Sequence, residues 1–145
     1  FGQAMMLDIV EHLHAWQLER ALAEVYRVLS PGGTLVVHTA PNLWYYRFGY
    51  PLFRVVQTLR GVPLPRNPRA RHRYHKQVHV NEQSPISLWR GLRRARFQAR
   101  VWVDDSRVDT SVLGGFLQYT LRLGLHVAPI RWVLASDVYA IATRT

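Results

Sequence analysis

The chain has no cysteine, so disulfide staples and thiolate metal sites are excluded. Lysine is nearly absent too: Lys76 stands alone among 19 lysine and arginine residues. No charge-free apolar run reaches the length of about 18 residues that a membrane span needs. The closest approach, Val112 to Ala142, is interrupted by Arg122, Arg131 and Asp137. No secretory leader pattern is visible, and the expected setting is cytoplasmic. Acidic residues are missing from the whole stretch between Glu24 and Glu82. That stretch carries Arg27, Arg47, Arg54, Arg60, Arg66, Arg69, Arg71, Arg73 and Lys76, and the net charge is +10. A patch of this kind attracts phosphates, nucleic acid or anionic lipid. The alternative is a solvated loop face, the usual fate of a charge run. Both readings stay open, and no specific nucleic-acid target is expected.

What is present is a globular composition. Hydrophobic residues make up 48% and charged residues 19% of 145 positions, enough for one domain with a real core and too apolar for disorder. Ala4 to Val10 is a continuous apolar run broken only by Asp8, which predicts a strand buried on both faces. Trp16, Leu18, Leu22, Val25, Val28 and Leu29 then recur at helical spacing. Ser30-Pro31-Gly32-Gly33 ends that helix, and Thr34 to Thr39 predicts a second buried strand. Strand, helix and strand joined this tightly make a βαβ unit.

From Pro41 to about Val80 the pattern is least regular. Tyr45, Tyr46, Phe48, Tyr50 and Phe53 crowd its start, a helix is expected over Leu52 to Leu59, and Gly61 to His75 should be an exposed basic loop. Ser84-Pro85 is a helix start with a capping serine and a first-turn proline. A strand over Phe97 to Val103, a helix over Val112 to Leu123 and a final strand over Ser136 to Thr143 complete the reading. The chain divides into a strand-helix-strand core (1–42), a basic excursion or lid (43–80) and a C-terminal helix-strand part (81–145). It opens at Phe1 straight into an apolar run without a polar lead-in, which reads as an excised piece.

Four segments carry a family resemblance. Leu7-Asp8-Ile9-Val10-Glu11-His12-Leu13 resembles the end of the fourth strand in class I S-adenosylmethionine-dependent methyltransferases of the small-molecule type. Arg27 to Val37, with Ser30-Pro31-Gly32-Gly33 at its centre, resembles their helix-to-fifth-strand junction. Thr39-Ala40-Pro41-Asn42 looks like the Thr-Pro-Asn that follows, with Ala40 inserted. His79-Val80-Asn81 and the helix from Pro85 are similar to the segment leading through the next helix, although Arg96 stands where a glycine commonly precedes the aromatic. The resemblance covers residues 1 to about 103 well and the final strand loosely. It implies an α/β fold: a partial Rossmann-like sheet of the family's strands four to seven with flanking helices. The family's glycine-rich cofactor loop and the acid ending its second strand have no counterpart here, since Gly32-Gly33 and Gly114-Gly115 lack the spacing and the preceding strand. The expectation is therefore a C-terminal fragment, inactive alone, with an exposed strand edge.

In an open α/β sheet, ligands sit outside the carboxyl ends of the strands. The resemblance implies S-adenosylmethionine as cofactor, with Leu7, Asp8 and Glu11 beside it and a small-molecule, lipid or glycan-type acceptor opposite. His12 is the expected general base, because its unperturbed pKa is near neutrality; a structural histidine tied to the backbone is the competing reading. Asp8 could position cofactor or acceptor, or cap a helix, and Glu11 is expected to favour the next helix through its dipole. Asn42, Tyr45 and Tyr46 are the expected acceptor contacts, with packing under a lid as the alternative for the aromatics. Asp8, Glu11 and His12 also resemble the acidic-acidic-His metal set of ubiquinone-pathway O-methyltransferases, but no metal is expected. His72, His75 and His79 read as solvated loop histidines. The competing functional class is an Arg-rich module that binds nucleic acid or an anionic membrane surface without catalysis.

Overall fold

The computed structural model describes residues 1–71, 78–104, 115, 119 and 123–145. Strand β1 (Gln3–Leu7) stops earlier than its apolar run suggests. The cause is Asp8, whose φ of 53° lies in the left-handed region, one that aspartate tolerates better than most side chains. A single 3-10 turn, Val10–His12, follows, so Ile9 and Val10 are not strand residues. Helix α1 (Ala15–Val28) turns Leu18 and Leu22 inward, and the Gln17 side chain accepts the His14 backbone N–H at 2.8 Å. At its far end Gly32 takes a φ of 76°, which only glycine adopts at no steric cost. A Cβ at the next residue, Gly33, would stand 2.8 Å from the Ser30 carbonyl oxygen.

Strand β2 (Thr34–Thr39) alternates half-buried and buried residues along its length. It runs parallel to β1, from Gln3 opposite Thr34 to Leu7 opposite His38. Helix α2 (Tyr50–Leu59) begins two residues before its expected start and continues a π-turn over Tyr45–Gly49. Helix α3 (Pro85–Arg94) starts as expected, with Ser84 Oγ accepting the Ser87 N–H at 3.1 Å. Strand β3 (Phe97–Asp104) follows. The short helix α4 (Ala128–Leu134) has no counterpart among the expected elements, while the helix expected over Val112 to Leu123 lies almost wholly outside the described residues. Strand β4 (Asp137–Arg144) slots between β2 and β3, antiparallel to both. The four-stranded sheet thus has the order β1-β2-β4-β3.

One face of the sheet carries the core. Leu35, Val37, Phe97, Val138, Ala140 and Ala142 point to it, and Leu18, Leu22, Leu88 and Leu92 of α1 and α3 cover it. The opposite face carries Met5, Leu7 and Ile141, which remain 58%, 49% and 45% exposed. Beyond the strand ends, the Tyr45–Gly49 π-turn packs against α4 at Gly49, where a Cβ would overlap the Val133 carbonyl oxygen. Tyr50 is buried there and its hydroxyl donates to the Pro65 carbonyl at 2.7 Å.

Candidate functional site

The carboxyl ends of β1 and β2 lie side by side, and the polar residues at both ends divide between the two faces of the sheet. Successive strand residues point to opposite faces, so His38 and Thr39 at the tip of β2 turn opposite ways. Each recruits a different acid from the turn after β1.

On the open face, the Asp8 carboxylate lies 2.8 Å from His38 Nδ1 and the Asp137 carboxylate 3.0 Å from His38 Nε2. Only a ring carrying both N–H bonds donates to both acids at once. The Asp8 N–H also donates to the His38 carbonyl at 3.1 Å, extending the parallel ladder past the end of β1. The His38 ring contacts Tyr139 at 4.5 Å between centroids, and Tyr139 stacks on Trp102 at 5.9 Å. Asp8 therefore caps no helix. His38 and Asp137 are not among the expected site residues; the one signal for His38 is a polar ring directly after the aliphatic run Leu35-Val36-Val37.

On the covered side, Glu11 is buried, and its Oε2 accepts the Thr39 hydroxyl at 2.6 Å. Its backbone carbonyl takes the N–H groups of Val80 and Asn81 at 2.9 and 3.1 Å. The expectation for Glu11 is corrected here, since it ties the β2 tip and the 78–81 segment to β1 rather than serving α1 through its dipole. His12 lies at the rim, with Nδ1 2.9 Å from the Val78 carbonyl oxygen. The tie to backbone is thus present, and it fixes the tautomer: Nδ1 carries the proton, and a neutral ring keeps its lone pair on Nε2. That Nε2 lies 3.9 Å from Glu11 Oε1.

His79 is half-buried and meets the His12 ring edge-on at 4.9 Å between centroids, which corrects its reading as a solvated loop histidine. His72 and His75 lie outside the described residues. One ligand atom each of Glu11, His12 and His79 falls within 4.8 Å of the others. These are the residues that could hold an ion. Tetrahedral bonds of about 2.0 to 2.2 Å put ligand atoms about 3.5 Å apart, so the group would have to close by about 1 Å to hold one. Asp8 does not belong to that set, because its carboxylate is turned to His38.

Asn42 also differs from expectation. Its side chain is fully buried, donates to the Trp132 and Ala135 carbonyls at 2.6 and 2.9 Å, and accepts the Trp44 N–H at 3.0 Å. It clips the chain after β2 to α4 and has no open surface to offer an acceptor. Tyr45 and Tyr46 are half-buried, 6.2 Å apart between ring centroids. Burial, followed by the nearby Glu82 charge, pushes the Tyr46 phenol above its ordinary pKa. Arg69 stands over that ring and makes a two-pronged ion pair with buried Glu82 at 2.7 and 2.6 Å, which removes one arginine from the basic patch.

No protein-family model matches the chain, and no curated protein matches it in sequence. Solved structures do match its fold. A SAM-dependent methyltransferase from Archaeoglobus fulgidus superposes with a TM-score of 0.51 at 14% identity, covering 99% of this chain and 59% of that one. Phosphoethanolamine N-methyltransferase 2 from Haemonchus contortus, solved with phosphomonomethylethanolamine and S-adenosylhomocysteine, gives 0.56 at 10% identity over 99% and 33%. Geranyl diphosphate C-methyltransferase from Streptomyces coelicolor A3(2), solved with Mg²⁺, geranyl diphosphate and S-adenosylhomocysteine, gives 0.52 at 14% identity over 99% and 47%. The fold is the Rossmann-like α/β fold of the SAM-dependent methyltransferases, and the chain spans between a third and three-fifths of each of these matched chains.

Proposed function

We propose that this chain forms the acceptor-side part of an S-adenosylmethionine-dependent methyltransferase, with the glycine-rich part of the cofactor site supplied by further polypeptide. The observation that carries the reading is the pair of adjacent parallel strand tips, β1 and β2, with Asp8, Glu11, His12 and Thr39 gathered at them in a fold shared with such enzymes. The residues suit half of a cofactor cleft: Leu7 and the Asp8 carboxylate are both accessible at the β1 tip, while the glycine-rich loop is absent from the sequence. S-adenosylmethionine, when bound, supplies a methyl group activated as a sulfonium.

The remaining work falls to side chains of this chain. Alignment of donor and acceptor is the main contribution, because a fixed near-attack geometry removes much of the entropic barrier. His12 takes the acceptor's proton on Nε2, the nitrogen that the Val78 contact leaves without hydrogen. Thr39 and Glu11 hold the turn that presents it. Tyr45 and Tyr46 wall the acceptor, whose class is a small molecule, lipid or glycan intermediate, in a cytoplasmic setting.

The test is methyl transfer from labelled cofactor, measured on this chain alone and on a protein that also carries a strand followed by a Gly-x-Gly loop. The chain alone binds cofactor weakly or not at all, and micromolar binding in calorimetry would overturn the division of labour. In the complete protein, His12→Ala lowers kcat about a hundredfold or more, the usual contribution of a general base, with a much smaller change in cofactor Kd. An unchanged kcat removes His12 from the chemistry.

A further inference from the structure

Helix α2 turns its apolar side the wrong way for a core helix. Of its ten residues only Tyr50 is buried. Phe48, at its entry, and Leu52, Val55 and Leu59 are 53%, 57%, 51% and 83% exposed among the described residues. Steps of four, three and four residues place these side chains in one stripe along the helix. A stripe of large apolar groups facing water marks an interaction surface rather than chance exposure. Beside Phe48 an apolar groove of about 440 Å³ opens, lined by Trp44, Phe48, Pro129, Trp132 and Val133.

The charge around the stripe has one sign. Arg47 and Arg54 flank it, and Arg60 follows it within one residue, in a stretch without any acidic residue. Among the described residues, the arginines held in ion pairs are Arg27 and Arg69, so these three face no carboxylate there. No helix of the described residues is long and apolar enough to cross a membrane. A short helix with an aliphatic stripe, flanking arginines and neighbouring tryptophans suits the boundary between headgroups and acyl chains. RNA would use the arginines but has no use for Leu52, Val55 and Leu59. A second copy stacked on the stripe would bring Arg47 and Arg54 against like charges.

We propose that the face formed by Phe48, Leu52, Val55 and Leu59, with Arg47 and Arg54 beside it, docks this protein on an anionic lipid bilayer, helix α2 lying in the plane of the surface. The proposal is independent of methyl transfer, since its readout needs neither cofactor nor turnover. The experiment is co-sedimentation of the full chain with vesicles of phosphatidylcholine, alone or mixed with phosphatidylglycerol, at low and high salt. The chain pellets with the anionic vesicles, and salt weakens the association. Leu52→Glu with Val55→Glu lowers affinity about tenfold or more, because both side chains leave the apolar layer. Arg47→Gln with Arg54→Gln lowers it less and flattens the salt dependence. All four side chains are exposed or half-exposed, and circular dichroism confirms that the variants keep the fold. Equal binding to both vesicle types overturns the proposal, as does absence of binding or indifference to the glutamate pair. A wild-type dimer that the glutamate pair dissociates in sedimentation velocity assigns the face to a second copy instead. RNA binding that only the arginine pair abolishes, without vesicle binding, assigns it to nucleic acid.

Discussion

The two faces of the sheet solve the same geometric problem with different chemistry. On the covered face, Leu35, Val37, Ala140 and Ala142 are fully buried against α1 and α3. On the other, His38 of β2, Tyr139 of β4 and Trp102 of β3 form a row of rings, and two carboxylates clasp the histidine. Burial selects side chains on the first face by volume and by the absence of polar atoms. The second keeps polar groups because each has a partner or water within reach. The candidate site falls where the two regimes meet, at the tips of β1 and β2. Asp8 reaches to one face and Glu11 to the other.

Truncating one aliphatic side chain on each face probes this contrast most directly. Leu22→Ala on the covered side should cost about 3 kcal/mol in chemical denaturation, since a fully buried leucine leaves a cavity. Ile141→Ala on the open face should cost well under half of that. Equal losses would mean that the open face is packed as tightly as the core. The next largest effect is expected at the tip. Thr39→Val removes the hydroxyl that Glu11 Oε2 accepts and strands a buried carboxylate oxygen, at a cost of about 2 kcal/mol. Glu82 offers a similar test away from the strand tips: Arg69→Gln leaves its buried carboxylate without its cation. The expected loss is about 1 to 2 kcal/mol, reduced because the arginine side is partly solvated. The smallest effect belongs to Asp8→Asn, on the order of 0.5 kcal/mol, because the Asp8 end of the His38 pair is largely exposed. A loss above that of Thr39→Val would show that the open-face cluster, and not Glu11, fixes the tip.

Much of the architecture is legible along the chain. The bounds of β2 and the starts of α3 and β3 follow from alternation and capping, which act over a few residues. The early end of β1 is not legible, because an apolar run gives no sign that Asp8 enters the left-handed region. Helix α4 is hidden for a related reason. Its seven residues, Ala128–Leu134, are too few for helical periodicity to show, and contact with the Tyr45–Gly49 turn accompanies it. At the site, Asp8, Glu11 and His12 can be named from adjacency in sequence, but their partners cannot. His38 lies thirty residues from Asp8 and ninety-nine from Asp137, and His79 sixty-seven from His12.

Periodicity and composition, read along the chain, settle which segments are strands and most of the helices, that thiol chemistry is excluded, and that the middle of the chain is uniformly basic. Folding in three dimensions settles the rest: that β4 enters between β2 and β3, that Asn42 is spent on α4, that Asp8 and Glu11 part to opposite faces, and that α2 presents leucine and valine to the outside. Each of those depends on which distant backbone a side chain meets. A hydrogen bond or an uncovered stripe is a property of two surfaces in space, and no pattern along one segment encodes the second surface.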